Sequence, residues 1–277
     1  MEAHQLDMIR RAVAHYEAGN QLLRDLLRAE TSPQVTIVKS WPEAVPTTFI
    51  VRPGQRPAAT MRARQIIDQL AGDLSGLNML DYGCGEGWTA AVAADQAATV
   101  VGYDPTPSPV WETLIRDNLK FATSPGNGPY DIILCYDVLD HVEEPQAEVM
   151  ARLHRLLSPE GVLYLRLHPW TSRHGAHQYE GNGNNLAYWH LAAEPAEVAA
   201  AVMVPPYRVI RPLAIYEALV RDAGFKVLER RIDSHEPEPY FADATLDAII
   251  RNTWGQIDAD QAHKIMAIQH VDYLLRR

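Results

Sequence analysis

Apolar positions along the chain fall into two rhythms. Short continuous apolar runs bounded by turn residues read as buried strands at Asn78–Tyr82, Ala98–Tyr103, Phe225–Ile232 and Gln269–Leu275. Helical spacing reads out over Leu6–Ala29, where Leu6, Ile9, Val13, Tyr16, Leu22, Leu23, Leu26 and Leu27 form one stripe broken only by Gly19, and Pro33 marks its end. Further helices are predicted over Arg62–Leu70, Glu86–Asp95, Tyr216–Ala223, Ala244–Thr253 and Gln261–Ile268, with Gly224 as a C-terminal stop. Val35–Lys39 and Thr48–Val51 look extended, punctuated by Pro42, Pro46 and Pro53. From Arg62 onward strand and helix alternate, as a parallel sheet with helical crossovers requires.

The first strand runs into Asp81-Tyr82-Gly83-Cys84-Gly85-Glu86-Gly87, a turn with three alternating glycines. Glycine suits a backbone that must turn sharply and pass close to a ligand. The next strand delivers Asp104, 19 residues beyond Gly85, about the ~20-residue offset at which an acid reaches ribose hydroxyls in a doubly wound nucleotide site. An adenosine-containing cofactor is expected. The nicotinamide fingerprint G-x-G-x-x-G is not met, because Trp88 stands where its last glycine belongs. Glu86 at the helix start would also repel a pyrophosphate, which prefers bare helix N-terminal amides.

The Asp-x-Gly-x-Gly-x-Gly loop resembles motif I of the class I S-adenosylmethionine-dependent methyltransferases. The resemblance continues at Tyr130–Val142, similar to the family's fourth strand and its Asp-x-Leu-x-His-Val continuation, and at Leu156–Leu165, similar to its helix, Pro-Gly turn and fifth strand. It covers roughly residues 60–233. It implies a three-layer α/β fold: a doubly wound, mostly parallel seven-stranded sheet with helices on both faces and a late antiparallel strand. Residues 1–60 then form an N-terminal helical extension, a cap over the site or a dimer contact, and 61–277 the methyltransferase domain, with 168–210 as a loop over the site.

The family likeness also implies the cofactor, S-adenosylmethionine, with S-adenosylhomocysteine as product. Gly83, Cys84, Gly85 and Gly87 would pass under its methionyl part and Asp81 would help hold its amino group. Asp104 would take the ribose, Tyr136 and Asp137 would line the site, and Trp88 either lines the cofactor pocket or covers the first helix. Carboxylates suit a ligand that carries an ammonium and a sulfonium. Many relatives place an acid after the third strand for adenine, but Leu119–Ser124 offers none.

Composition narrows the partners. The formal net charge is −10 over 277 residues, a balance that disfavours polyanions, whose phosphates attract clustered Lys and Arg. No apolar run reaches the ~18 residues of a membrane span, and the start Met-Glu-Ala-His lacks a signal-peptide core. The two cysteines, Cys84 and Cys135, fall in core elements, so neither a disulfide nor a cysteine zinc site is expected. A cytoplasmic enzyme acting on a small molecule is the expectation.

Ligands of an open parallel sheet gather at the carboxyl ends of its strands. The densest chemistry there is His168–Tyr179, with three histidines, Arg173, two hydroxyls and two aromatics before a Gly/Asn-rich stretch. His168, His174 or His177 would serve as general base toward a hydroxyl or amine, since histidine titrates near working pH. Arg173 would clamp a substrate carboxylate or phosphate. His174 and His177 stand three apart, yet no acid at familiar spacing completes a metal set, and no metal is expected. His141 and Asp131 read as packing residues, and Val204-Pro205-Pro206-Tyr207 as a turn. The competing readings are a protein or nucleic-acid methyltransferase and a catalytically silent cofactor-binding scaffold.

Overall fold

The computed structural model describes residues 63–64, 66–67, 73–142, 144–172, 213–234 and 264–277. The N-terminal extension, the Ala244–Thr253 helix and the 173–212 segment with Arg173, His174 and His177 lie outside these residues.

Seven strands form one sheet in the order β3-β2-β1-β4-β5-β7-β6. They are β1 (Asn78–Tyr82), β2 (Thr99–Tyr103), β3 (Leu119–Ala122), β4 (Tyr130–Tyr136), β5 (Leu157–Leu167), β6 (Lys226–Ser234) and β7 (Ile268–Arg276). The first five pair in parallel, and β7 lies antiparallel between β5 and β6. Among the described residues, three α-helices flank the sheet: α1 (Trp88–Ala94), α2 (Gln146–Leu156) and α3 (Leu213–Asp222). The sheet's alternation explains the layers. One face sends Leu80, Ile133, Cys135, Leu165 and Tyr273 against α2 and α3. The other sends Met79, Ile132, Leu134 and Tyr164 against α1 and the helical residues Ala63, Ile66 and Ile67.

Helix α2 shows why these segments fold as they do. Val149, Met150, Leu153 and Leu156 make its buried stripe, with Glu148 in the first turn and His154 and Arg155 in the last complementing the helix dipole. Glu144, just before it, receives Arg152 in two hydrogen bonds of 2.7 and 2.6 Å, and Arg152 also donates to the Tyr82 hydroxyl at 2.9 Å. That group fixes the α2 entry against the end of β1.

Most boundaries shift by one to three residues from the sequence reading, and three of the differences have a plain physical reason. Helix α1 starts at Trp88 rather than Glu86, because Gly87 caps it in the left-handed region, at φ 86°. The Pro-Gly turn lies inside β5: pairing jumps from Tyr130–Leu157 to Ile132–Val162, so Ser158–Gly161 form an excursion in a strand that starts where α2 stops. Ile268, expected in a helix, is the first residue of β7, since its neighbours pair along β6.

Candidate cofactor and acceptor site

Strand order reverses between β1 and β4, so the loops leaving these two strands border one crevice. The β1 loop is pinned from below. The Gly83 and Cys84 N–H groups donate to the Tyr103 carbonyl at 2.7 and 2.8 Å, Gly85 N–H to Asp104 Oδ2 at 3.0 Å, and Gly87 N–H to the Cys84 carbonyl at 2.8 Å. These amides serve the chain itself, so the loop is no phosphate nest. Its three glycines all have positive φ, but for different surroundings. A Cβ on Gly83 would fall 2.5 Å from Val138, and one on Gly87 2.4 Å from Phe121; one on Gly85 would meet nothing within 4 Å. Gly83 and Gly87 thus serve close packing, and Gly85 borders open space.

Two carboxylates face this cradle. Asp81 is buried, and its Oδ2 has no hydrogen-bond partner among the described residues. Burial pushes its pKa up to about 7 against the backbone N–H of Ala90, and the neighbouring Asp104 adds to the rise. Asp104 is held by two amides, Gly85 N–H and Thr106 N–H, at 3.0 and 2.9 Å. A buried, partnerless carboxylate oxygen calls for a cation, and a methionyl ammonium supplies one. The donor set fits the expected cofactor.

An aromatic pair missed in the sequence completes this wall. Trp111 stacks on Phe121 with ring centroids 5.0 Å apart, and its Nε1 donates to the Gly85 carbonyl at 2.8 Å. The available signal was an aromatic on each of the two segments beyond β2 flanking the ribose acid. Trp88 packs beside the α1 core, and its Nε1 donates to Glu86 Oε2 at 2.9 Å. Cys84 Sγ lies by Asp81 and Asp104, and burial first, then those charges, push its thiol up.

The second border comes from β4 and β5. Asp137 leaves β4 with φ 57°, the one positive φ outside glycine among the described residues. Its Oδ1 lies 2.9 Å from Nε2 of His168, at the end of β5, while His168 Nδ1 faces the Gln269 carbonyl at 3.0 Å. Tyr136, in contrast, packs inward: its ring covers the Arg166 guanidinium at 4.2 Å, its hydroxyl accepts from Arg166, and it stacks on Tyr164. Arg166 in turn grips Asp272 of β7 at 2.6 and 2.7 Å, both side chains buried. This charged row across β4, β5 and β7 escaped sequence reading, because a lone Arg or Asp in a strand shows no partner. His141 stays partly exposed, 3.7 Å from the buried Asp140, and Asp131 accepts from Asn78 N–H and Ser158 Oγ at the sheet's other end.

Comparison with known proteins adds independent information. Residues 55–230 match the family described as "Methyltransferase domain". A segment of the chain is 32% identical over 114 residues to ubiquinone biosynthesis O-methyltransferase of Actinobacillus pleuropneumoniae serotype 5b (strain L20), covering 35% of this chain and 48% of that protein. The protein of that name from Escherichia coli O127:H6 (strain E2348/69 / EPEC) gives 33% over 115 residues, 35% and 45% of the two chains. The chain thus spans about half the length of the curated relatives it matches. Among solved structures, it is similar to the Burkholderia thailandensis 1,6-didemethyltoxoflavin-N1-methyltransferase with bound 1,6-didemethyltoxoflavin and S-adenosylhomocysteine. There the TM-score is 0.46 at 14% identity, over 100% of this chain and 91% of that one. It is also similar to an S-adenosylmethionine-dependent methyltransferase from Mesorhizobium loti, with a TM-score of 0.49 at 18% identity over 77% and 96%.

Proposed function

The chain belongs to the methyltransferase domain family, matched over residues 55–230, and from that premise we propose that it transfers a methyl group from S-adenosylmethionine to a small-molecule acceptor. The observation that carries this reading is the cradle itself. Among the described residues, a Cβ on Gly85 would meet nothing within 4 Å and the buried Asp81 Oδ2 lacks a partner, while Asp104 is locked in place. Asp81 takes the ammonium, Asp104 the ribose hydroxyls, and the Trp111–Phe121 pair gives the adenine an aromatic wall in place of an acid after β3. Cys84 contributes backbone to the loop, and Trp88 and Tyr136 act as packing behind it. The bound cofactor supplies an activated methyl on a sulfonium; the chain's part is to align donor and acceptor and exclude water.

An oxygen or nitrogen acceptor suits this arrangement, and the names of the curated relatives support oxygen. Of the three candidate bases, His168 has both ring nitrogens turned to acceptors. The acceptor's proton therefore falls to His174 or His177, with Arg173 as clamp for an acidic substituent. Residues 61–277 act as the catalytic domain, and 1–60 cap it or pair two copies. No described helix is long and apolar enough to cross a membrane, and the acidic balance favours a small-molecule acceptor in the cytoplasm over a nucleic acid.

The test is a calorimetric titration of S-adenosylmethionine and S-adenosylhomocysteine into the wild type and Asp104→Ala. Micromolar binding that the substitution weakens at least tenfold supports the reading and opens a labelled-methyl screen. No binding of either ligand overturns it. Tight binding with no methyl transfer to any extract favours the silent scaffold instead.

A further inference from the structure

Four acids crowd the two loop mouths: Asp81 and Asp104 at the glycine loop, Asp137 and Asp140 after β4. Asp104 acts on Asp81. The buried Cys135 thiol, on β4 between them, is pushed up first by burial and then by Asp140, Asp81 and Asp137. The β4 loop touches the glycine loop directly, since Val138 is the residue a Gly83 Cβ would strike. Neighbouring carboxylates oppose each other's ionisation: at Asp81 burial raises the pKa most, and Asp104 adds to it. If Asp137 shared the fate of Asp81, the site would keep fewer negative charges for a cationic ligand.

The geometry around His168 prevents this. The ring sits between a carbonyl and a carboxylate: Gln269 O at 3.0 Å from Nδ1 and Asp137 Oδ1 at 2.9 Å from Nε2. A backbone carbonyl only accepts, so Nδ1 carries a proton. Nε2 then needs a second proton to meet an ionised Asp137, which makes the ring an imidazolium. Every described element around the ring contributes to its charge setting. The β4 loop brings Asp137 and Asp140, and β5 brings Arg166, which opposes the charge. From β7 comes His270, 5.7 Å away ring to ring, which sits 3.3 Å from Asp233 of β6 and 3.9 Å from Asp272. Burial works against the cation, yet Asp137, by charge and hydrogen bond, and Asp140 outweigh it and hold the ring above the usual histidine value.

We propose that His168 is a positioning residue: a fixed cation, clamped by β7, that keeps the Asp137 carboxylate ionised and in place beside the glycine loop. It acts through Asp137 and takes no proton from the acceptor. The two loop acids then divide their work. Asp81 is left for the ligand to charge, whereas Asp137 is charged in advance. This rests on the cofactor reading above, because it assigns Asp137 to the border of that site.

The experiment is a pH titration of the full chain with ring-¹⁵N histidine, followed by NMR, with the His168 signals identified by their loss in His168→Gln. Wild-type His168 is expected to titrate above the ordinary value of about 6.5, and Asp137→Asn to lower that midpoint by about one unit or more. Asparagine tolerates the left-handed backbone of position 137, so this variant keeps the loop. Adding S-adenosylhomocysteine should shift the His168 signals in wild type and leave them in place in Asp137→Asn. A wild-type midpoint at or below 6.5, or one that Asp137→Asn leaves unchanged, overturns the proposal, and the first needs no variant to fold. Ligand binding seen by calorimetry without any movement of the His168 signals also overturns it. Absence of ligand binding counts against the cofactor reading alone, and the ring titration still decides the state of His168.

Discussion

At the scale of single residues, Asp81 gives the sharpest expectation. Its carboxyl titrates near 7 because burial penalises the charge. Only the ionised form pairs with an ammonium, so S-adenosylmethionine affinity should fall as pH drops below about 7, approaching tenfold per pH unit for one proton. Isothermal titration between pH 5.5 and 8.5 checks this, and Asp81→Asn should remove the slope while weakening binding throughout. The sign for the unliganded fold is the reverse. The native pKa lies above the unfolded value of about 3.9, so the native state binds more protons, and this residue's contribution to stability declines as pH rises from about 4 to 7. The glycines separate in the same way. Gly87→Ala meets Phe121 at 2.4 Å with φ 86° and should cost about 3 kcal/mol in urea unfolding. Gly85→Ala, with nothing within 4 Å, should cost only about 1 kcal/mol of backbone strain, yet its methyl enters the ligand's space and should weaken cofactor binding at least tenfold. Equal losses of stability for the two variants would refute that division.

Among elements, β7 depends most on its partners. It enters the sheet antiparallel, and its buried Asp272 is gripped by Arg166 of β5 at 2.6 and 2.7 Å. Removing one partner strands a buried charge, which costs about 3–5 kcal/mol, whereas exchanging both for apolar residues of similar volume is nearly neutral. Asp272→Leu should therefore unfold at markedly lower urea, and Arg166→Met combined with Asp272→Leu should recover most of the loss. A double variant as unstable as the single one would show that the row is needed for more than its own neutralisation. The element scale also shows where sequence reading faltered. Apolar runs located β1, β2, β6 and β7, because a buried strand advertises itself as such a run, while β4 and β5 were read from the family resemblance. Periodicity misjudged Ile268, since the helical residues 264–267 pass straight into a strand with no turn residue to mark the change.

For the whole molecule, a ligand that binds only the folded chain stabilises it by mass action. At a concentration 100 times its Kd, S-adenosylhomocysteine should add about 2.7 kcal/mol, read as a raised unfolding midpoint, while NADH and ADP should leave that midpoint in place because the loop's amides are already committed. A comparable shift with NADH would reverse the cofactor assignment. What the sequence alone determined was local. Asp81, the three glycines and Asp104 lie within one strand-turn-helix-strand stretch, so their spacing along the chain already implies their meeting in space, and the alternation of elements implies the parallel sheet. What only the tertiary structure decided was long-range. His168 meets Gln269 and Arg166 meets Asp272 across separations of 101 and 106 residues, joined by a β7 register that leaves no trace in either local segment. The same holds for Trp111 over the Gly85 carbonyl, and for whether a glycine borders packing or open space. Local spacing is written into the covalent chain, but a hydrogen bond between distant strands exists only once the sheet has set which residues stand side by side.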